Sequence, residues 1–130
     1  MLKVGFLESF SVQEFIPFDH PRNIRYSDSG NLLAISNRQE SVGIFNIQTS
    51  EFIYNGSPII DDIKSIDINE NSNQVALGRL NSISIFDYST KQTINTFEDI
   101  DGSDLEYSKD HRYLYSVSNF GKFARSEERR

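Results

Sequence analysis

The apolar residues of this chain come in short runs or alternate with polar residues, and Gly, Asn, Asp and Ser separate one run from the next. No stretch keeps an apolar stripe at a spacing of about 3.6 residues over three turns, as an amphipathic helix would. Short apolar runs bounded by turn-forming residues are typical of strands joined by hairpins. The pattern therefore predicts an all-β chain.

This pattern occurs three times along the chain. The copies begin at Ile24, Ile66 and Leu105, which are 42 and 39 residues apart. Each copy opens with a short strand, a polar turn and a second strand, and the first two copies continue into a third and a fourth strand. A repeat of about 40 to 45 residues with four strands is typical of one blade of a β-propeller. We therefore predict a β-propeller segment.

The two complete copies form two predicted blades, 21–60 and 61–100. Residues 1–20 match the outer half of a blade, and residues 101–123 match an inner half. The chain therefore counts as about three four-stranded blades (half, two and half), followed by a flexible tail at 124–130 that has no apolar pattern. The predicted strands lie near 3–8, 11–18, 22–27, 32–36, 42–47, 51–55, 63–68, 74–78, 83–87, 92–97, 103–107 and 112–118, with a short stub at 120–123.

Three short segments resemble the WD-repeat propeller family. They are Phe18-Asp-His-Pro21, Asp28-Ser-Gly-Asn-Leu-Leu-Ala34 and Ile85-Phe-Asp87. The resemblance extends over roughly residues 1–123 and implies a ring of blades that serves as a platform for other proteins. The motifs are degenerate, and another propeller family with similar strand lengths is the alternative. Phenylalanine replaces the family's tryptophan in both complete copies, at Phe45 and Phe86.

The resemblance also implies a hydrogen-bonded tetrad in each blade, which this sequence does not complete. His20 is the only residue that resembles the family's histidine, and Ser36 would be its partner in the first copy. Gly78 occupies the position of Ser36 in the second copy. The closing aspartate is kept as Asp87, whereas Asn46 replaces it in the first copy.

Three blades do not close into a ring by themselves, because natural propellers have about four to eight blades. We expect one of three arrangements. The chain is a piece of a longer propeller, two copies join head to tail through their half-blades, or another protein supplies the missing blades. Each arrangement covers strand edges that an isolated monomer would expose. We therefore expect a homo-oligomer or a part of a larger propeller or complex.

Composition narrows the class of protein. The 130 residues suffice for one domain, and the formal net charge of −6 disfavours direct binding to nucleic acid or to an anionic membrane. The chain contains no cysteine, which excludes disulfides and thiolate metal sites and favours an intracellular protein. The apolar run Val4–Leu7 is too short for a signal sequence or a membrane span. We expect a soluble protein in the cytoplasm or the nucleus.

Candidates for catalytic or metal chemistry are weak. Both histidines follow an aspartate, in Asp19-His20 and Asp110-His111, but no nucleophile accompanies either pair and we interpret both as turn residues. The segment Glu98–Asp104 has carboxylates at alternate positions, but its glycine is misplaced for an EF-hand loop. No glycine-rich phosphate loop and no zinc spacing is present. We predict no catalytic residue, no metal and no cofactor.

Sorting the loops by the rim on which a meander places them gives a candidate binding surface. Acidic corners between blades and basic residues in the neighbouring loops would form an acidic arc with interspersed cations. Such an arc suits a basic or polar peptide segment of a protein partner, although turns favour aspartate for local reasons as well. The predicted rim consists of Asp19, Arg38, Glu40, Asp61, Asp62, Arg79, Asp99, Asp101, Asp104 and Lys122.

The sequence thus predicts a non-catalytic scaffold for protein–protein interactions, built on a WD-repeat-like propeller. The first alternative is a structural subunit that completes a partner's propeller. The second is a propeller-type hydrolase, which would need a ring of metal ligands around the channel. The inner strands begin with Arg22, Asp62 and Ser103, which are poor ligands for such a ring.

Overall fold

The computed structural model describes residues 2–5, 12–58, 62–117 and 123–127, and these residues form an all-β structure without an α-helix. The all-β prediction is confirmed. No helix within the described ranges has the length and apolar character to cross a bilayer. The strands are β1 (Leu2–Gly5), β2 (Val12–Ile16), β3 (Asn23–Tyr26), β4 (Leu32–Ser36), β5 (Val42–Asn46), β6 (Glu51–Gly56), β7 (Ser65–Asn69), β8 (Gln74–Gly78), β9 (Ser82–Asp87), β10 (Gln92–Glu98), β11 (Asp104–Tyr107), β12 (Tyr113–Val117) and β13 (Phe123–Glu127), with a 3-10 turn at Glu70–Ser72 between β7 and β8.

The described strands form four antiparallel sheets in which each strand pairs with the next one along the chain. Two sheets are complete four-stranded meanders, β3 to β6 and β7 to β10. The pair β1–β2 precedes them, and the three strands β11 to β13 follow them. In the two meanders, observed strand ends differ from the predicted ones by at most two residues, because turn-forming residues mark both ends of each strand.

The three copies share one register. Ile24 faces Ile35 across the first hairpin, Ile66 faces Leu77 in the second, and Leu105 faces Ser116 in the third. Because side chains alternate between the two faces of a strand, the same register sends equivalent residues to the same face of each sheet. The sequence repeat is therefore also a structural repeat.

Apolar layers lie between successive sheets. In the second meander, β7 to β10, the three strands β7, β8 and β9 are buried on both faces, as expected for a sheet with a neighbour on each side. Fully burying one isoleucine or leucine stabilises a fold by about 1.5 to 3 kcal/mol, so these layers hold the sheets together. The first layer contains Ile16, Phe18, Leu33, Ile35 and Phe45, the second Leu32, Val42, Ile44, Ile66, Ile68, Val75 and Leu77, and the third Ala76, Ile83, Ile85, Leu105, Tyr107 and Leu114.

The carboxyl end differs from the prediction. Residues 124–127, which we expected in a flexible tail, belong to β13, and Tyr115 pairs with Arg125 in its ladder with β12. An edge strand is held by backbone hydrogen bonds and tolerates charged side chains, so the lack of an apolar pattern did not reveal it. The last sheet consequently has three strands, whereas we predicted an inner pair with a stub.

Two short turns repeat in detail. The turn after β3 is closed by Ser27, whose hydroxyl accepts a hydrogen bond from the Leu32 amide at 3.2 Å, and Ser108 accepts one from the Tyr113 amide at 3.0 Å. Gly30 takes a φ of 78° in the first turn, as its residue type predicted, and His111 takes a φ of 62° at the equivalent position of the third. Tight hairpin turns require such left-handed residues.

Candidate interaction surfaces

The inner strands β3, β7 and β11 are neighbours, and they run in the same direction because their like ends line the same cavities. Residues at their amino ends, Asn23, Lys64 and Ser103, surround one cavity, and residues at their carboxyl ends, Tyr26, Ile68 and Tyr107, surround another. Polar side chains cross the space between these strands, since Arg25 reaches Asp104 at 3.8 Å. The inner strands therefore offer two openings for ligands, one at each end.

The first meander has an exposed apolar flank. Ile24 is 44% exposed and Tyr26 is 72% exposed, whereas the equivalent residues Ile66 and Ile68 are 1% and 2% exposed. In the third copy, Leu105 and Tyr107 are buried as well. The difference arises because β7 and β11 pack against a preceding sheet with inner strands, while β1 and β2 are the only described strands of the sheet before β3. We call Ile24 and Tyr26 the open flank.

Asp67 joins the second and third inner strands from a buried position. One carboxylate oxygen accepts a hydrogen bond from the Tyr107 amide at 2.7 Å, and the other accepts one from the Ile68 amide at 2.8 Å. Burial raises the pKa of Asp67, although these two amides and the charge of Arg25 oppose the shift. The equivalent residues in the other two copies, Arg25 and Glu106, are also charged, and both are exposed. The repeat therefore gave no sign that Asp67 is buried.

The cavity at the carboxyl ends of the inner strands has a volume of about 600 Å³. Its lining carries charges of both signs, including Arg25, Glu106 and Lys109. Two contacts join the equivalent turns beside it: His111 Nε2 lies 3.3 Å from a carboxylate oxygen of Asp28, and the hydroxyl of Ser29 donates a hydrogen bond to Glu70 at 2.6 Å. The mixed charges leave this opening without a strong preference for either sign of ligand.

The two histidine pairs behave differently. His20 contacts Asp19 at 2.8 Å, and both side chains are largely exposed. The imidazole of His111 instead faces Asp28, while Asp110 accepts hydrogen bonds from the Ser108 hydroxyl and the Arg112 amide. Those bonds, from the hydroxyl first and the amide second, hold the pKa of Asp110 below its usual value. Both aspartates thus have local structural partners.

Ser36, at the predicted tetrad position, and the acidic segment Glu98–Asp104 also form local hydrogen bonds within the fold. Ser36 is fully buried and its hydroxyl accepts a hydrogen bond from Asn23, while His20 points into solvent. In the segment Glu98–Asp104, Asp101 accepts hydrogen bonds from the Ser103 amide and hydroxyl. Within the ranges that the structure describes, no three His, Asp or Glu side chains come together as metal ligands would.

Most carboxylates of the predicted rim have a partner of their own. Asp19 contacts His20, Asp62 lies 3.2 Å from Lys64, and Asp104 pairs with Arg25. Glu40 and Asp99 are exposed, and Asp99 has a φ of 58°. Arg79 fixes the corner through its backbone, which bonds to Ser82 and Gly102. Asp61 and Lys122 lie outside the described residues.

Three basic residues meet beside this rim. Arg22, Arg38 and Lys64 line the cavity at the amino ends of the inner strands, which has a volume of about 550 Å³. The other described residues of the lining, Pro21, Asn23, Ile63 and Ser103, carry no charge. Of these three cations only Arg38 belonged to the predicted rim. Arg22 and Lys64 were missed because they directly precede the inner strands and were assigned to the strands themselves. We call Arg22, Arg38 and Lys64 the cationic cavity.

Comparison with known proteins gives a fold and no activity. No family model and no curated protein sequence matches the chain. Among solved structures, 520 chains match it, so the fold is a common one and selects no single function. One is a chain of hydrazine synthase from Kuenenia stuttgartiensis, with a TM-score of 0.66 and 21% sequence identity. The match covers 88% of this chain and 33% of that one; this protein therefore shares the fold of about a third of that longer chain.

Proposed function

We propose that this chain is a segment of a WD-repeat-like β-propeller and serves as a non-catalytic scaffold that binds other proteins. The stacking of four-stranded meanders with their inner strands side by side supports a propeller, because each blade of a propeller packs its two faces against neighbouring blades. The polar, mixed-charge lining between these strands and the engagement of both histidines in turns support a binding role over a catalytic one.

The open flank is the observation that carries this proposal. Ile24 and Tyr26 expose an apolar pair at positions that the other two copies bury. A patch of this kind on a repeat protein marks the place where the next structural unit packs. The strand β1 also has a free edge, since it pairs only with β2 among the described strands. Together they form a seat for two antiparallel strands.

The unit that fits this seat is the inner strand pair of a blade. It would extend the sheet of β1 and β2 through backbone hydrogen bonds and cover Ile24 and Tyr26 with side chains. The chain itself contains such a pair, β11 and β12. Because β13 already occupies the outer edge of β12, that pair within an intact copy is not free to join β1, and a separate strand pair is the better ligand.

A synthetic peptide copying residues 103–118 tests this proposal. We expect the fluorescein-labelled peptide to bind the full chain, as measured by fluorescence anisotropy. Replacing Ile24 or Tyr26 by aspartate should weaken binding at least tenfold, since a charge would be buried under the strand pair. A peptide copying residues 103–127 should bind less well, because its own third strand competes for the edge.

The matched control is Ile53→Asp, because Ile53 is 50% exposed on the outer strand β6. This change should leave the dissociation constant unaltered. If the peptide does not bind, or if Ile53→Asp weakens binding as strongly as Ile24→Asp, the open flank is not a docking seat and the scaffold proposal loses its support.

A further inference from the structure

We propose that the cationic cavity is a second binding site, which takes an acidic peptide segment of a partner protein. The site lies at the opposite end of the inner strands from the cavity beside Tyr26, and it does not depend on the open flank. Its three cations, Arg22, Arg38 and Lys64, converge from two neighbouring sheets. The chain as a whole is acidic, with a net charge of −6, so a cavity whose charged residues, among those that the structure describes, are all cations is a local exception to its charge.

The backbone holds all three cations in place. The amide of Arg22 donates to the Ser36 carbonyl at 2.8 Å, and the amide of Lys64 donates to the Gly78 carbonyl at 2.7 Å. Arg38 lies on a loop braced by the buried Asn37, whose side-chain oxygen accepts hydrogen bonds from the amides of Gln39 and Ser41. A ligand therefore meets three cations whose backbone positions are already fixed, so only their side chains lose freedom on binding.

Two of the cations are available for a ligand. Arg22 and Arg38 have no ion-pair partner among the residues that the structure describes. The Lys64 ammonium lies 3.2 Å from a carboxylate oxygen of Asp62, and both side chains are partly exposed. Among the described rim carboxylates, Asp19 contacts His20 and Asp104 contacts Arg25, whereas Glu40 and Asp99 are exposed. An arginine presents a fork of N–H groups that binds a carboxylate through two parallel hydrogen bonds.

The size of the cavity favours a peptide over a single ion. About 550 Å³ is far more than one small anion fills, and it accommodates two or three side chains of an extended segment. Arg22 directly precedes β3 and Arg38 lies two residues after β4, so the two guanidinium groups are separate carboxylate-binding groups at the open end of this hairpin. The uncharged neighbours Pro21 and Ile63 provide contact for the stem of a glutamate. A glutamate-rich peptide is therefore the class of ligand that matches both the charge and the volume of the cationic cavity.

The test uses the full chain and a fluorescein-labelled octaglutamate peptide, with octaarginine as the opposite-charge probe. We expect octaglutamate to bind at low salt, and its affinity to fall when salt is raised, because the contacts are partly exposed. The net charge of −6 attracts octaarginine to the chain as a whole, so octaarginine binding should not weaken in the arginine variants. Each of Arg22→Gln, Arg38→Gln and Lys64→Gln should weaken binding about threefold, as for exposed ion pairs, and the double arginine variant about tenfold.

Lys109→Gln is the matched control, because it removes the same charge beside the cavity at the other end of the inner strands. It should leave octaglutamate binding unchanged. Equal weakening by Lys109→Gln would show diffuse attraction rather than a site, and failure of octaglutamate to bind at low salt would overturn the proposal outright. If the double variant does not fold, Arg38→Gln alone decides the question, since its exposed side chain on a surface loop is not needed for packing.

Discussion

At the scale of single residues, a close contact between two backbone segments is the feature that is hardest to predict from the sequence. Gly78 lies at the end of β8, where the linker to the third copy passes over it. A Cβ atom added there would lie 1.9 Å from the Gly102 carbonyl oxygen. From sequence alone we interpreted Gly78 only as the loss of a tetrad member. Its actual role is to let the linker pack against the sheet, and the Gly102 amide secures it by a bond of 2.7 Å to the Arg79 carbonyl.

Gly78→Ala is therefore expected to lower the free energy of unfolding by about 1 to 3 kcal/mol, as overpacking does. Urea denaturation measures this change. Gly30→Ala is the control, since a methyl group at Gly30 meets no atom within 4 Å and only the φ of 78° opposes it, at a cost of about 1 kcal/mol. A smaller loss for Gly78→Ala than for Gly30→Ala would contradict the packing of the linker.

Asp67 gives stability a pH dependence whose sign follows from its raised pKa. Because the folded protein holds this proton more tightly than the unfolded chain, the contribution to stability is largest below the ordinary pKa of 3.8. It falls as pH rises through the raised value. The stability of the wild type relative to Asp67→Asn should therefore decrease from pH 3 towards neutrality, as urea titrations at several pH values would show. A difference that grows with pH would mean that the amides of Ile68 and Tyr107 outweigh burial.

At the scale of elements, the repeat predicted most strands well and the last strand poorly. The hairpins of the two meanders combine apolar alternation with turn residues such as Gly30 and Asn73, so both their type and their ends were readable. β13 carries Arg125 and Glu127 and is defined by backbone pairing with β12. Pairing of a charged edge strand leaves no apolar signature, so a single sequence did not reveal it.

The turn after the third strand has the same side-chain cap in both meanders. Asp87 accepts hydrogen bonds from the amides of Ser89 and Thr90, and Asn46 accepts them from Gln48 and Thr49. Partial burial opposes ionisation of Asp87, but the hydrogen bonds of Ser89 and Thr90 outweigh it and lower the pKa. The closing aspartate of the repeat is thus a turn cap, which explains why asparagine replaces it in the first copy.

Asp87→Ala should lower the free energy of unfolding by about 1 kcal/mol, because two amides lose their acceptor. Asp87→Asn should cost less than half of this, since Asn46 makes the same bonds in the first meander. Thermal denaturation of both variants near neutral pH compares them. Because the pKa of Asp87 is lowered on folding, the stabilising effect of the ionised carboxylate is lost as pH falls through that lowered value. Equal destabilisation by alanine and asparagine would rule out the cap.

At the scale of the whole molecule, the sequence predicted successive antiparallel sheets but not the partners of the rim residues. The predicted rim was an acidic arc with interspersed cations, and it included Asp62, Asp101 and Asp104. In the structure Asp62 and Asp104 have ion-pair partners and Asp101 caps its own turn. Arg22, Arg38 and Lys64 meet only because two sheets pack together, and a relation between sheets is not visible in a one-dimensional pattern.

The exposure of the open flank also depends on the whole array. Ile24 and Tyr26 have the same residue character as Leu105 and Tyr107, and the repeat predicts the same burial for both pairs. Only the position of the first meander, next to a two-stranded sheet, leaves its pair exposed. The proposed interaction surface thus depends on the place of a repeat in the array rather than on its sequence.

The most direct test of the account is to map, by two-dimensional NMR of the isotope-labelled full chain, where the peptide copying residues 103–118 binds. If the strand pair docks at the open flank, chemical-shift changes will concentrate at the amides of residues 24–26, of the facing strand β4 and of β1. The amides of residues 92–98, on the outer strand β10, will not change. Shifts centred on β10, or spread evenly over the chain, would contradict a docking seat at the open flank and with it the proposed scaffold.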